Sequence, residues 1–147
     1  MNSQIFLPVI RELANCYQAF EIYSAQHIRS FGLTPCQFDI IATLGNTDGM
    51  SFRELGNKTL ITKGTLTGVV DRLAEKNLVR RTADATDGRS QIVGLTILGE
   101  ELFADIFPRH LQHLDAVFAT VDVQELKLMQ QTLKRLGGLF NQNKEVV

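Results

Sequence analysis

The chain has 147 residues, 44% of them hydrophobic and 21% charged, which is typical of one globular domain with its own core and leaves little room for a second. No apolar run reaches the length of a membrane span, and the residues from Met1 to Gln4 lack the blocks of a signal peptide, so we expect a cytoplasmic protein without membrane contact. The net charge is -1, but residues 51–91 hold eight basic and five acidic residues (+3) against seven and eleven (-4) elsewhere, which suits an anionic partner for the middle of the chain.

A long first helix is predicted from about residue 5 to about residue 31. Its apolar residues, including Phe6, Leu13 and Phe20, recur at steps of three and four and so form one stripe. At 1.5 Å per residue the helix would be roughly 40 Å long, which exceeds the core of one small domain. Part of the stripe is therefore expected to contact another chain.

Capping signals predict the next helices. Thr34-Pro35-Cys36-Gln37 matches a capping box with proline at the first helical position and opens a second helix over residues 35–44. Ser51-Phe52-Arg53-Glu54 repeats this pattern and opens a short third helix that ends near Thr59. Thr62 is expected to cap a fourth helix that runs to about residue 76.

The fourth helix has two contrasting faces. Its apolar residues follow the helical spacing without a miss: Leu66, Val69, Val70 and Leu73. The opposite face carries small, polar and basic residues: Lys63, Gly64, Thr65, Thr67, Gly68, Asp71 and Arg72. Glycine and threonine are poor helix formers where packing does not compensate, so this face suits a partner that approaches the backbone closely.

A hairpin and two further helices complete the prediction. Residues 78–82 and 91–95 favour strands, and the Asp87-Gly88 turn between them gives the hairpin a basic tip. Thr96 is expected to cap a fifth helix, and Asp122 with Glu125 opens a sixth, whose alternating steps of three and four indicate a helix-helix seam.

The order of these elements defines the fold class. The third and fourth helices, joined by Leu60 and Ile61, form a helix-turn-helix, and the hairpin follows directly, so the fold is mainly α with a small β-hairpin wing. Such a fold can insert a helix into a major groove about 12 Å wide and place wing arginines in the adjacent minor groove. No phosphate loop, nucleophile elbow or paired-carboxylate motif occurs, and we expect a protein that binds double-stranded DNA and is not an enzyme.

The chain resembles the MarR family, the multiple-antibiotic-resistance-type transcription regulators, over nearly its whole length and in register. The residues that carry the resemblance are Thr34 to Phe38, Lys63 to Thr67, Val70 to Leu73, Lys76 to Val79, Asp84, Asp87 to Arg89, and Leu95 to Gly99. Each piece alone is a weak signal, and the ordered set is a specific one.

The resemblance implies a set of DNA-binding residues. Those on or beside the groove-facing surface are Lys63, Thr65, Thr67 and Arg72. Arg89 is implied to enter the minor groove, with Asp87 holding it. Arg80 and Arg81 flank the wing. Because alternate strand residues point to opposite sides, one of the two should reach a phosphate group, and we include Arg81 among the expected DNA-binding residues.

Three positions depart from the family pattern. Gly68 stands where the family often has a basic residue, and Gly88 replaces a frequent arginine, so base reading is expected to rest on fewer contacts. Asn77 stands where glycine is usual, which a left-handed helix end tolerates.

The resemblance further implies an intertwined homodimer of six-helix chains. Residues 1–147 then form one domain, with 34–95 as the DNA-binding part and 1–33 and 96–147 as the helical dimerisation part. The dimer would bind a pseudo-palindromic operator with half-sites roughly 10 base pairs apart, as a repressor released by a small aromatic or phenolic ligand through a population shift. Candidate pocket residues are Tyr17, Phe20, Tyr23, His27 and Phe38.

Alternatives to this interpretation remain at the level of sequence. Gly68, Gly88 and the net charge permit a winged-helix protein-interaction module without DNA binding. Cys16 permits a redox-sensing regulator, although a buried, inert cysteine is the simpler expectation.

The three histidines are the candidate ligands for a metal ion. His27, His110 and His113 could meet a metal at a dimer interface, but no carboxylate or cysteine completes a ligand spacing. We therefore expect no metal and no cofactor.

Overall fold

The computed structural model describes residues 4–59 and 61–144, and within them it contains six helices and three short strands. The elements in chain order are α1 (Leu7–Arg29), α2 (Pro35–Leu44), β1 (Met50–Ser51), α3 (Phe52–Thr59), α4 (Lys63–Glu75), β2 (Val79–Ala83), β3 (Gln91–Leu95), α5 (Ile97–Phe118) and α6 (Val123–Gln142). The chain divides into two compact units, the first ending at Leu111 and the second beginning at Gln112. The six predicted helices and the hairpin are confirmed; Leu60, predicted to join α3 to α4, lies outside the described residues.

One strand was not expected from the sequence. β1 pairs antiparallel with β3, Met50 opposite Val93 and Ser51 opposite Ile92. The predicted hairpin is thereby part of a three-stranded sheet in the order β1-β3-β2. Two residues are too few to show an alternating pattern, so periodicity could not predict β1.

The predicted helix caps are mostly confirmed. The Gln37 N–H donates to Thr34 Oγ1 at 3.2 Å and the Thr34 N–H donates to Gln37 Oε1 at 3.1 Å, which is a complete capping box. The Gly99 N–H donates to Thr96 Oγ1 at 3.0 Å. The predicted side-chain cap at Thr62 is wrong, because its hydroxyl donates to the Thr65 hydroxyl at 3.1 Å and makes no cap hydrogen bond.

A left-handed residue turns the chain from α4 into β2. Asn77 has φ 59°, as expected from the sequence. Its N–H donates to the Ala74 carbonyl and the Leu78 N–H donates to the Leu73 carbonyl, both at 2.9 Å. This pair of bonds is a Schellman motif, which satisfies the last carbonyls of the helix and reverses the chain within two residues. The start of the wing is therefore fixed to the end of α4.

One apolar core in the first unit connects the helix-turn-helix to the sheet. Its fully buried side chains include Ile40, Leu44, Leu55 and Val93. The four apolar residues predicted for the inner face of α4 are all buried in it. This one-sided burial leaves the opposite face of α4 in solvent.

The start of α5 is attached to the base of the wing. The Thr96 N–H donates to the Leu78 carbonyl at 3.1 Å, and the Thr96 hydroxyl donates to the Asn77 carbonyl at 2.6 Å. Gly99 lies so close to the Leu78 carbonyl that a Cβ at this position would overlap it. Glycine is therefore required here for α5 to begin directly against the wing.

Large apolar side chains remain exposed outside this core. On α1 they include Leu13 and Phe20 of the predicted stripe, and α6 buries none of its described residues. Cys16 is also exposed in the chain and Cys36 is half-buried, so the expected burial is wrong for Cys16. None of the helices described is long and apolar enough to cross a membrane.

Candidate nucleic-acid interface

The outer face of α4 presents a surface of small and basic groups. Lys63, Thr65, Thr67 and Arg72 are all exposed on it. A Cβ built on Gly64 or Gly68 would meet no heavy atom within 4 Å. Neither glycine is therefore required by packing within the chain, although each lowers the stability of the helix.

Two aspartates fold the tip of the wing. The Asp84 carboxylate accepts hydrogen bonds from the Thr86 N–H at 3.0 Å and the Thr86 hydroxyl at 2.9 Å, and these bonds, the backbone one first, lower the pKa of Asp84. The Asp87 carboxylate accepts from the Arg89 N–H at 3.0 Å and from the Ser90 hydroxyl at 3.3 Å. Asp87 thus holds the backbone of Arg89, whose side chain is exposed.

Arg81 links the wing to both helices of the helix-turn-helix. Its guanidinium forms an ion pair with Asp71 of α4 and lies 5.3 Å from the ring centroid of Phe52 of α3. The neighbouring Arg80 is exposed, whereas the Arg81 side chain is only 28% exposed. The alternation anticipated from the sequence therefore leaves Arg80 as the freer cation on β2.

The five candidate pocket residues do not share one environment. Tyr17 is 60% and Phe20 52% exposed on α1, and Tyr23 of the same helix is half-buried. Phe38 is buried, and its ring contacts that of His110 edge to face at 4.7 Å between centroids. The Nδ1 atom of His27 lies 2.9 Å from Nδ1 of His110. His110 therefore joins His27 to Phe38. The sequence related the two histidines only as candidate metal ligands at a dimer interface, and no spacing rule predicts their direct contact within one chain.

Among the candidate pocket residues and their neighbours, the pKa values of one carboxyl group and one phenol group are raised. Half-burial raises the pKa of Asp39, next to Phe38, from 3.8 to about 6. The Tyr17 hydroxyl donates to Glu21 Oε1 at 3.0 Å, and this bond raises the pKa of Tyr17.

In the described part of the chain, no three His, Cys, Asp or Glu side chains are grouped so that they could hold a metal ion.

The fold and this surface define a class of protein. An exposed, small-residue helix face beside an arginine-bearing hairpin, both fixed to one core, is the architecture of a winged helix-turn-helix protein that binds DNA. Comparison with known proteins identifies the family.

A model of the MarR family matches residues 31–90. The HTH-type transcriptional regulator MhqR of Bacillus subtilis (strain 168) is 31% identical over 125 residues, which cover 85% of this chain and 86% of MhqR. The chain belongs to the MarR family and is a winged helix-turn-helix transcriptional regulator.

Solved structures share the fold over most of their length. NadR in complex with 4-hydroxyphenylacetate superposes with a TM-score of 0.74 at 25% identity, covering 87% of this chain and 91% of NadR. Sco3205 of Streptomyces coelicolor, a MarR family regulator in complex with DNA, gives a TM-score of 0.80 at 21% identity, covering 89% and 84%. The similarity thus extends beyond the residues that the family model matches.

The two arginines of β2 should differ in their effect on stability. Arg81→Ala removes an ion pair with a partly exposed carboxylate and a cation–π contact, so we expect it to lower the free energy of unfolding by about 1–2 kcal/mol. Arg80→Ala is the matched control and should change that free energy by less than about 0.5 kcal/mol. Urea denaturation measures both, and equal losses would contradict the positioning role of Arg81.

Gly68→Ala should separate stability from DNA binding. Because a Cβ meets open space at this position, we expect the free energy of unfolding to rise by about 1 kcal/mol through helix propensity. If DNA approaches the helix backbone at Gly68, duplex affinity should fall by about tenfold, as a steric penalty of about 1.4 kcal/mol would give. Fluorescence anisotropy measures the affinity, and unchanged affinity in the more stable variant would exclude close approach at Gly68.

Proposed function

We propose that the protein is a homodimeric repressor that binds a pseudo-palindromic operator in the cytoplasm and is released by a small aromatic or phenolic ligand. The proposal rests on one observation: the same domain exposes both the small-residue outer face of α4 and Arg89 at the wing tip. Both are held by one core, so they can approach two adjacent grooves together.

The proposed DNA contacts follow from exposure and spacing. Lys63, Thr65, Thr67 and Arg72 face the major groove, and Arg89 enters the minor groove, where the negative potential favours arginine. Asp87 acts by shaping the turn that carries Arg89. We assign the phosphate contact of β2 to Arg80, and we assign to Arg81 the positioning of the wing.

The proposed dimer rests on the exposed apolar faces. Groups of exposed apolar side chains mark protein contact sites. One such group lies on α1 and another on α6, within the segments 1–33 and 96–147 that we assign to dimerisation. A two-fold dimer presents two α4 helices, so half-sites about 10 base pairs apart would be read together.

The proposed ligand is an aromatic acid or phenol. The neighbour NadR was solved with 4-hydroxyphenylacetate. In this chain, Phe31 and Phe38 have ring centroids 6.5 Å apart and border the histidines His27 and His110, which offers aromatic surfaces beside groups that donate and accept hydrogen bonds. Release would follow if the ligand binds more tightly to a dimer whose α4 spacing no longer fits the operator.

Salt-dependent binding to duplexes selected from a random library tests DNA recognition. We expect affinity to fall steeply with salt, and Arg89→Ala to weaken binding about tenfold through loss of a minor-groove contact. Arg29→Ala removes the same charge from an exposed site at the end of α1 and should bind like the wild type. Failure to retain any duplex at low salt would favour the protein-interaction alternative.

The effector proposal is tested with 4-hydroxyphenylacetate as the probe and cyclohexaneacetate as the non-aromatic control. We expect the aromatic acid to weaken operator binding while the control does not. Binding of the probe with unchanged operator affinity would contradict ligand release. Peroxide-induced release that disappears in Cys16→Ser would instead establish the redox alternative.

A further inference from the structure

Two histidines meet in the first unit where α1 contacts α5. Nδ1 of His27 lies 2.9 Å from Nδ1 of His110, and the two ring planes are 21° apart with centroids 5.2 Å apart. Nε2 of His110 lies 3.2 Å from Ser24 Oγ. His110 is 4% exposed and Ser24 7%, so both nitrogens of the His110 ring have hydrogen-bonding partners in a buried position.

The facing Nδ1 atoms can hold only one proton between them. In a neutral pair, one ring donates its Nδ1–H and the other accepts. A pair with one extra proton keeps this hydrogen bond, because the extra proton can occupy an Nε2 atom. When both rings are fully protonated, two N–H groups point at each other and two positive charges are in contact, so the hydrogen bond must break.

The surroundings of the pair oppose a second charge. The Phe31 ring contacts His27 at 4.8 Å and the Phe38 ring contacts His110 at 4.7 Å between centroids, and these apolar rings occupy space in which water would otherwise solvate a second cation. The titratable and charged groups of the neighbouring helix segments in the first unit are Tyr23 of α1, Asp39 of α2, and Asp105 and Arg109 of α5. The Arg109 guanidinium already lies 5.0 Å from the Phe31 ring centroid. Asp105 Oδ2 forms an ion pair with Arg109 Nη1 at 3.2 Å.

We infer that the His27–His110 contact is a proton-operated latch between α1 and α5. The latch is closed while the facing nitrogens share one proton and opens when both rings are protonated. Its opening removes one of the hydrogen bonds between α1 and α5, another being the contact of Ser24 Oγ with His110 Nε2. The consequence for DNA binding rests on the proposed function, in which α1 and α5 belong to the dimerisation part. The latch itself does not depend on the proposed function.

Asp39 titrates in the same range with the opposite sign. Because its pKa is raised from 3.8 to about 6 in the fold, its contribution to stability is fully present below 3.8 and is lost as the pH rises through about 6. Acidification from pH 7 to 5 therefore strengthens the fold through Asp39 and weakens it through the latch. A comparison of variants at equal pH cancels the Asp39 contribution.

The test combines histidine NMR with stability measurements from pH 8 to 5. His27→Phe keeps a ring against Phe31 and removes the facing nitrogen; His27→Gln serves as a second variant should the first not fold. In the wild type, which has three histidines, we expect two of them to titrate as one coupled pair. Between pH 7 and 5 the wild-type unfolding constant should rise about tenfold relative to His27→Phe.

His113→Gln is the control, because it removes the one histidine outside the pair and should keep the wild-type profile. Independent titration of His27 and His110, or parallel stability profiles in the wild type and His27→Phe, would overturn the latch. Acid-induced loss of operator affinity in the wild type but not in His27→Phe would support its link to regulation, and equal losses would overturn that link. Lack of operator binding at pH 7 would refute the proposed function and leave the NMR result decisive for the latch.

Discussion

The orientation of α4 is the constraint on which the rest of the structure depends. Leu66, Val69, Val70 and Leu73 are buried in the core beside Val93 of the sheet, and burial of four such side chains is worth several kcal/mol. A rotation of the helix would expose them. The core therefore both stabilises the domain and determines that the opposite face, with its two open glycines, points to solvent. Packing of the inner face of α4 in the core alone therefore determines the direction in which the candidate DNA-binding face points.

Three independent contacts fix the wing to the helix-turn-helix. The left-handed Asn77 turns the chain immediately after the helix, β1 pairs with β3 on the far edge of the sheet, and Arg81 joins Asp71 to Phe52. Each contact is modest, because the Arg81 pair is partly exposed and β1 has two residues. Together they hold the strands from both edges and from the face that meets α4, which determines the spacing between the groove-facing helix and the wing tip.

Local signals in the sequence predicted the helices, whereas contacts between distant residues could not be predicted. The Thr34 box and the spacing of α4 act within one or two turns, so the residues that carry them are adjacent in the printed chain. The hydroxyl of Thr62 illustrates the limit, since it bonds to the Thr65 hydroxyl and makes no cap hydrogen bond. The partner of Arg81 is ten residues away and that of His27 is 83 residues away, and no spacing rule specifies either.

The net charge of -1 and the glycines of the interface have a common physical consequence. Phosphate neutralisation by Lys and Arg supplies most of the non-specific affinity for DNA, and this chain has Gly68 and Gly88 where its resemblance to the family suggests basic residues. With fewer cations, less of the binding energy is independent of sequence. In the proposed mode of binding, a larger share then comes from the fit of the small-residue face of α4 in the major groove and from Arg89, whose backbone is held by Asp87. Because that fit depends on the spacing of the two α4 helices in the proposed dimer, we expect a small change in spacing to remove a large fraction of the affinity, which is the property that regulation by a ligand requires.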